Sequence, residues 1–138
     1  MSTSANRKIK GQSNVLTDGV RVQVESHFLP LHSVPENNLY KFIYFVTIIN
    51  ERAQAVQLLD RRWVITDALY HVEEVRGPGV IGETPLIGPG RSHFYHSFCV
   101  LKTPFGHMEG HYGMIDMDGM RFTVDVGRFN LLTPDAIH

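Results

Sequence analysis

Hydrophobic and polar positions alternate through most of the chain. Val20, Val22 and Val24 are interleaved with Arg21, Gln23 and Glu25, a period of two that predicts a strand with one buried face. Tyr40 to Ile49 is apolar on both parities and rich in aromatic and β-branched residues. That pattern predicts a strand buried on both sides, or one with a face left for a partner. Further strands are predicted over Val56–Thr66, His71–Arg76, Ser92–Lys102, Met108–Met117 and Met120–Arg128. Asp118-Gly119, set between Met117 and Met120, is a strong hairpin signal. No segment sustains a helical period, and 12 glycines and 7 prolines punctuate the strands. About seven strands with closely spaced turn signals predict an all-β, antiparallel sandwich. It is expected as one domain over residues 19–138, behind a flexible polar tail at residues 1–18.

Composition narrows the function classes. A 138-residue chain with 43% hydrophobic residues can build a core without disulfides or metals. Thirteen basic against fourteen acidic residues give no field to draw the chain onto nucleic acid or anionic lipid. The longest apolar run, "FIYFVTIIN", is too short to cross a bilayer as a helix. The single cysteine, Cys99, cannot close an internal disulfide, which points to a reducing compartment such as the cytoplasm. Arg7, Lys8 and Lys10 with no acidic neighbour resemble a transit peptide faintly; the absence of an apolar h-region excludes a secretory signal within this stretch.

Gly77-Pro78-Gly79-Val80-Ile81-Gly82 fits the GxGxxG pattern. A dinucleotide fingerprint needs a helix after the glycines, so that its N-terminus receives the pyrophosphate. Here Pro85, Gly88, Pro89 and Gly90 follow, and they break any helix. No Gly-Lys-Ser/Thr follows either, so a Walker loop is excluded. Two readings remain. The glycines carry positive φ in a connection between sheets, or their N–H groups form a nest for an anion. In the second reading Gly77, Gly79 and Gly82 bind phosphate, with Arg76 and Arg91 supplying charge.

The other chemistry-bearing residues form no recognisable motif. His93 and His96 lie on opposite faces of one strand. His107 and His111 share a face but stand about 13 Å apart. Glu109 and His111 are the adjacent same-face pair, which makes them the weak candidate for a divalent cation; no metal site is assigned. Asp116 and Asp118 resemble the start of a calcium loop without its closing glutamate. Cys99 and His96 point to opposite faces, so they form no nucleophile–base pair within the strand. Arg61 and Trp63 share a strand face, where the guanidinium either stacks on the indole as a cation–π pair or reaches out for an anion or a partner carboxylate. Met108, Tyr112 and Met114 read first as core residues.

"QLLDRRW", "VRGPGVIGETPLIGPG", "KTPFGHMEGHYGM" and "LLTPDAIH" together resemble the ApaG family, small bacterial proteins whose domain also occurs in some F-box proteins. The similarity runs from about Val20 to His138. It rests on Arg61-x-Trp63, Gly77-x-Gly79-Val80-x-Gly82, Pro89-Gly90 and Met108-x-Gly110-x-Tyr112-x-Met114; His111 fits the family's Gly-His-Tyr variant. The resemblance implies a fibronectin-III/immunoglobulin-like sandwich, no established enzyme activity and no cofactor. It implies a binding module for proteins or small ligands, with links to divalent-cation tolerance and diadenosine-polyphosphate metabolism and a proposed pyrophosphate role for the glycine stretch. One departure stands out: "TDALYHVEEV" replaces a Gly/Asn-rich hairpin tip, exposing Leu69 and Tyr70 as candidate contacts. The expectation is a non-catalytic, cytoplasmic module, monomeric or weakly dimeric, binding an unidentified protein through Arg61, Trp63, Leu69 and Tyr70. The alternative ligand is pyrophosphate or a nucleotide.

Overall fold

The computed structural model describes residues 11–137. Nine strands form two antiparallel sheets. They are β1 (Gln12–Thr17), β2 (Val20–Phe28), β3 (Tyr40–Asn50), β4 (Val56–Asp67), β5 (Val72–Pro78), β6 (Leu86–Ile87), β7 (Ser92–Leu101), β8 (Phe105–Asp116) and β9 (Arg121–Leu132). The first sheet has the order β1-β2-β3-β7, and the second β5-β4-β8-β9 with β6 added to β4. Among the described residues the only helices are short 3-10 turns.

The period-two pattern determines what is buried. Val20, Val22 and Val24 of β2 and Phe42, Tyr44, Val46 and Ile48 of β3 face Met108, Tyr112 and Met114 of β8 and Val124, Val126 and Phe129 of β9 across the gap. Met108, Tyr112 and Met114 are therefore core residues, as the alternation predicted. A bulge between Leu58 and Asp60 shifts the register of β4 against β8. It returns Trp63 to the buried side occupied by Val56 and Leu58, although the spacing between Leu58 and Trp63 is odd.

Two expectations need correction. The tail does not extend to residue 18, because Gln12–Thr17 pairs with β2 in register, Val15 opposite Val22. Alternation is weak there (QSNVLT), and pairing rather than local pattern makes the strand. The strand count is nine rather than about seven, since β1 and the two-residue β6 carry too little pattern to be read alone. The basic cluster Arg7, Lys8 and Lys10 lies outside the described residues. The predicted Asp118-Gly119 hairpin is present. Gly119 has φ +80°, and the Asp116 carboxylate accepts the N–H groups of Asp118 and Met120. Asp116 thus closes a turn, consistent with rejecting a calcium loop.

Candidate functional site

Sheet one and sheet two meet closely where β9 packs on β1 and β2. On the opposite side the edges of β7 and β5 stand apart, and the candidate residues gather there. The glycine stretch begins inside β5, where Gly77 lies opposite Arg61 of β4. The Arg61 side chain crosses over Gly77, and a Cβ there would stand 3.0 Å from the guanidinium. Arg61 Nη1 donates to the carbonyls of Pro78 and Gly79 at 2.9 and 2.8 Å.

Val80 to Glu83 then forms a tight turn. Ile81 and Gly82 have φ +48° and +74°, and Val80 and Glu83 exchange N–H···O bonds of 2.8 and 3.0 Å. Positive φ at both central positions is the type I′ pattern. Gly79 N–H donates to Leu59 O. The segment therefore spends the N–H groups of Gly79, Val80 and Glu83 on internal bonds, leaving those of Ile81 and Gly82 without a protein acceptor. It is no converging nest.

Neither flanking arginine, Arg76 nor Arg91, lines the cleft beside the loop. Arg76 Nη2 pairs with Glu74 at 3.1 Å, in register with Arg62 and on the face opposite Gly77. Arg91 takes part in a backbone turn, its N–H donating to Gly88 O and its carbonyl accepting from Asn50 N–H. Arg61 is the cation at the cleft of about 340 Å³ beside the loop, which Trp63, Ile81, Gly82, Tyr95 and Ser97 also line. No sequence spacing pointed to Tyr95 or Ser97, because β7 reaches the cleft only through sheet pairing.

Trp63 is a core residue at 3% exposure, packed edge-on against Tyr44, Tyr112 and Phe129. The Arg61–Trp63 cation–π pair does not form; the guanidinium binds carbonyls instead. Beneath the cleft the hydroxyls of Tyr95 and Tyr112 bond to each other. Burial pushes the hydroxyls of Tyr44, Tyr95 and Tyr112 above the usual tyrosine value. Burial, with a smaller push from Glu73, raises the Cys99 thiol to about 12. These groups are held neutral, so neither a phenolate nor a thiolate is poised for attack.

At the β4–β5 tip, Leu69 and Tyr70 are 66% and 84% exposed. The turn is well specified despite its unusual residues. Tyr70 takes φ +65°, Asp67 Oδ1 accepts the N–H groups of Leu69 and His71, and Ala68 N–H donates to Thr103 Oγ1. Partial desolvation opposes ionisation of Asp67, but the hydrogen bonds from His71 and Leu69 outweigh it and hold the carboxyl below its usual value. Next to the tip, Val72 and Val100 line one groove of about 270 Å³ with His71 and Lys102.

That groove leads onto the outer face of sheet one, which has two unlike halves. Over β1 and β2 it carries Asn14, Arg21, Gln23 and Glu25, with Leu16 as an exposed apolar residue among them. Over β3 and β7 it carries Ile43, Phe45, Phe94, His96, Phe98 and Val100. Phe94, Phe98 and Val100 are about half exposed. Phe45 stacks on Phe94 with centroids 6.2 Å apart, and Lys41 Nζ lies 4.7 Å above the Phe98 ring. The sequence signalled the β3 half of this strip, since Tyr40 to Ile49 is apolar on both parities; the β7 half was read only as a strand.

The outer face of sheet two is charged and internally paired. Glu109 receives hydrogen bonds from Arg128, and Arg62 binds Glu74. Among the described residues no cluster of three His, Cys, Asp or Glu side chains gathers around one point.

The fold is that of a fibronectin-III/immunoglobulin-like sandwich, closed on one side and carrying exposed apolar residues on the other. The ApaG domain profile matches residues 30–116, and the chain belongs to the ApaG family. It is 50% identical over 119 residues to Protein ApaG of Azotobacter vinelandii, covering 86% of this chain and 94% of that one. It is 45% identical over 122 residues to Protein ApaG of Brucella suis, covering 88% and 94%. An X-ray structure of a structural-genomics target superposes with TM-score 0.84 at 41% identity over 90% of this chain and 94% of the other. The putative ApaA protein from Bordetella pertussis gives TM-score 0.82 at 36% identity over 91% and 98%.

Proposed function

We propose that the domain is a non-catalytic protein-binding module. Its contact surface runs from Leu69 and Tyr70 at the β4–β5 tip, through the Val72–Val100 groove, onto Phe94 and Phe98. The observation that carries this reading is the contrast between sheet faces. Sheet two pairs its charges among themselves, whereas half of sheet one leaves aromatic side chains exposed beside polar neighbours. An apolar centre enriched in aromatic residues with a polar rim is the composition of a recognition surface. The buried, neutral Cys99 and tyrosines support binding without covalent chemistry. A lone free cysteine supports a cytoplasmic setting.

The test is affinity capture with quantitative mass spectrometry. A protein retained by the wild-type chain and by Arg121→Glu on sheet two, but lost with Phe98→Glu and with Tyr70→Glu, supports the reading. Equal retention by all four chains rejects it.

A second reading, an oxyanion in the cleft, is favoured by one observation: Ile81 and Gly82, whose N–H groups have no protein acceptor, line the same cleft as Arg61. Pyrophosphate or a nucleotide phosphate would be its ligand. Titration with pyrophosphate, with and without magnesium, should then shift the Ile81 and Gly82 amides saturably. Unmoved amides at millimolar ligand reject it.

A further inference from the structure

We infer that the free edge of β7 is a strand-addition site for an extended segment of another protein, apolar on alternate residues and acidic at its ends. The inference rests on the protein-binding reading and supplies the chemistry of the partner.

β7 borders sheet one, and among the described residues its one strand neighbour is β3. The direction of its backbone groups follows from the pairing. Asn50 N–H donates to Arg91 O, and Asn50 lies beyond the Ile49–Ser92 pair. Antiparallel pairs alternate, so His93, Tyr95, Ser97, Cys99 and Leu101 bond to β3. The opposite side of β3 agrees, since Lys41 receives Leu29 N–H at its carbonyl and donates its own N–H to Ser33 Oγ. The backbone groups of Phe94, His96, Phe98 and Val100 therefore point away from β3, out of the free edge. The same four residues carry the side chains of the exposed apolar strip.

Exposed edges are normally protected by charge, proline or a bulge. At the corresponding edge of sheet two, β5 carries Glu73, Glu74, Arg76 and Pro78. β1 at the far side is packed against β9, with Thr17 Oγ1 accepting the Asp125 N–H. β7 has ten residues with no Asp, Glu, Lys, Arg, proline or bulge among them. A strand bound there would gain main-chain hydrogen bonds, and its alternate side chains would extend the Phe94–Phe98 face.

The charges favour an acidic strand over a second copy of this chain. Arg91 and Lys102 bracket β7, and Lys41 lies over Phe98. Antiparallel self-pairing centred on His96 or Ser97 would set Lys102 of one copy opposite Gly90 or Ser92 of the other, one position from Arg91, and the ten residues of β7 bring no carboxylate to either end. Glu73 lies near the Val100 end and Glu83 stands 4.0 Å from His93 at the other, while Asp67 is committed to its own turn; against these two carboxylates stand the three cations Arg91, Lys102 and Lys41.

The experiment titrates the full chain with the capped peptide Asp-Asp-Val-Thr-Val-Thr-Val-Thr-Asp-Asp and follows amide exchange by NMR. Saturable binding should add protection at Phe94, His96, Phe98 and Val100, but not at Tyr95 or Ser97, which already bond to β3. Replacing the four aspartates with lysines should weaken binding roughly tenfold or more. His96→Pro removes one outward N–H and no β3 bond, which an edge strand tolerates, and should abolish the protection. Arg121→Gln, on β9 of the opposite sheet, should leave it unchanged. Binding without protection at those four amides, or none at millimolar peptide, overturns the inference. If the partner capture above still depends on Phe98 in that case, the face is the docking site and the edge is not. If neither effect is seen, both readings fall.

Discussion

The hydroxyl groups of Tyr95 and Tyr112 hydrogen-bond to each other across the gap between the sheets, joining edge strand β7 to β8 of the opposite sheet. Each is the other's hydrogen-bonding partner inside an otherwise apolar cluster. Tyr112→Phe should therefore cost about 1–3 kcal/mol, mostly from stranding the Tyr95 hydroxyl. The double variant Tyr95→Phe/Tyr112→Phe should recover much of that loss. A urea-unfolding double-mutant cycle measures the coupling, and additive single effects would contradict it.

The glycines of the loop should differ sharply. A Cβ on Gly79 would stand 2.2 Å from Glu83 O in a residue with φ +60°, whereas one on Gly82, at φ +74°, meets open space. Gly82→Ala should cost roughly 1 kcal/mol from left-handed strain alone. Gly79→Ala should cost clearly more, because backbone must move as well. Midpoints of chemical denaturation give the ranking.

Cys99 should not react with a disulfide reagent in the folded protein. Burial raises its thiol to about 12, so the folded state keeps a proton that the unfolded chain loses nearer its ordinary value. Its contribution to stability is present below the unfolded value and declines as pH rises toward the folded one. Labelling rates at pH 8 should equal the rate of global opening; rapid labelling of native protein would disprove burial.

Acid should loosen the β4–β5 tip before the core. Asp67 is held below its ordinary value of 3.8 by N–H groups of Leu69 and His71, against partial desolvation. The turn is therefore fully supported above that value, and support is lost as pH falls through the lower folded one. The amide of Leu69 should gain exchange at low pH while those of Val22 and Val46 stay protected. Asp67→Asn should remove the pH dependence.

Alternation along each strand made the sandwich readable, because a period of two states which face is buried without reference to distant residues. The same logic exposed the β3 half of the outer strip, where both parities are apolar and only one can be core. Gln12–Thr17 was hidden because its pairing with β2, not its own composition, makes it a strand. Placing Arg61 required the bulge after Leu58 and the cross-strand approach of Gly77, both relations between elements. Arg76 and Arg91 illustrate the converse. They flank the loop along the chain, but pairing aims Arg76 at Glu74 and leaves Arg91 in a turn away from the cleft lining.

The loop's carbonyls, rather than its amides, are what converge. Pro78 O and Gly79 O grip the Arg61 guanidinium, so the segment is a small cation receptor occupied by a side chain of the same molecule. Emptying it should make it vacant for an external cation. Arg61→Ala would leave two oxygen acceptors and a hollow the shape of a guanidinium group. Chemical rescue follows: methylguanidine, at concentrations too low to denature, should raise the melting temperature of Arg61→Ala while leaving the wild-type chain unaffected.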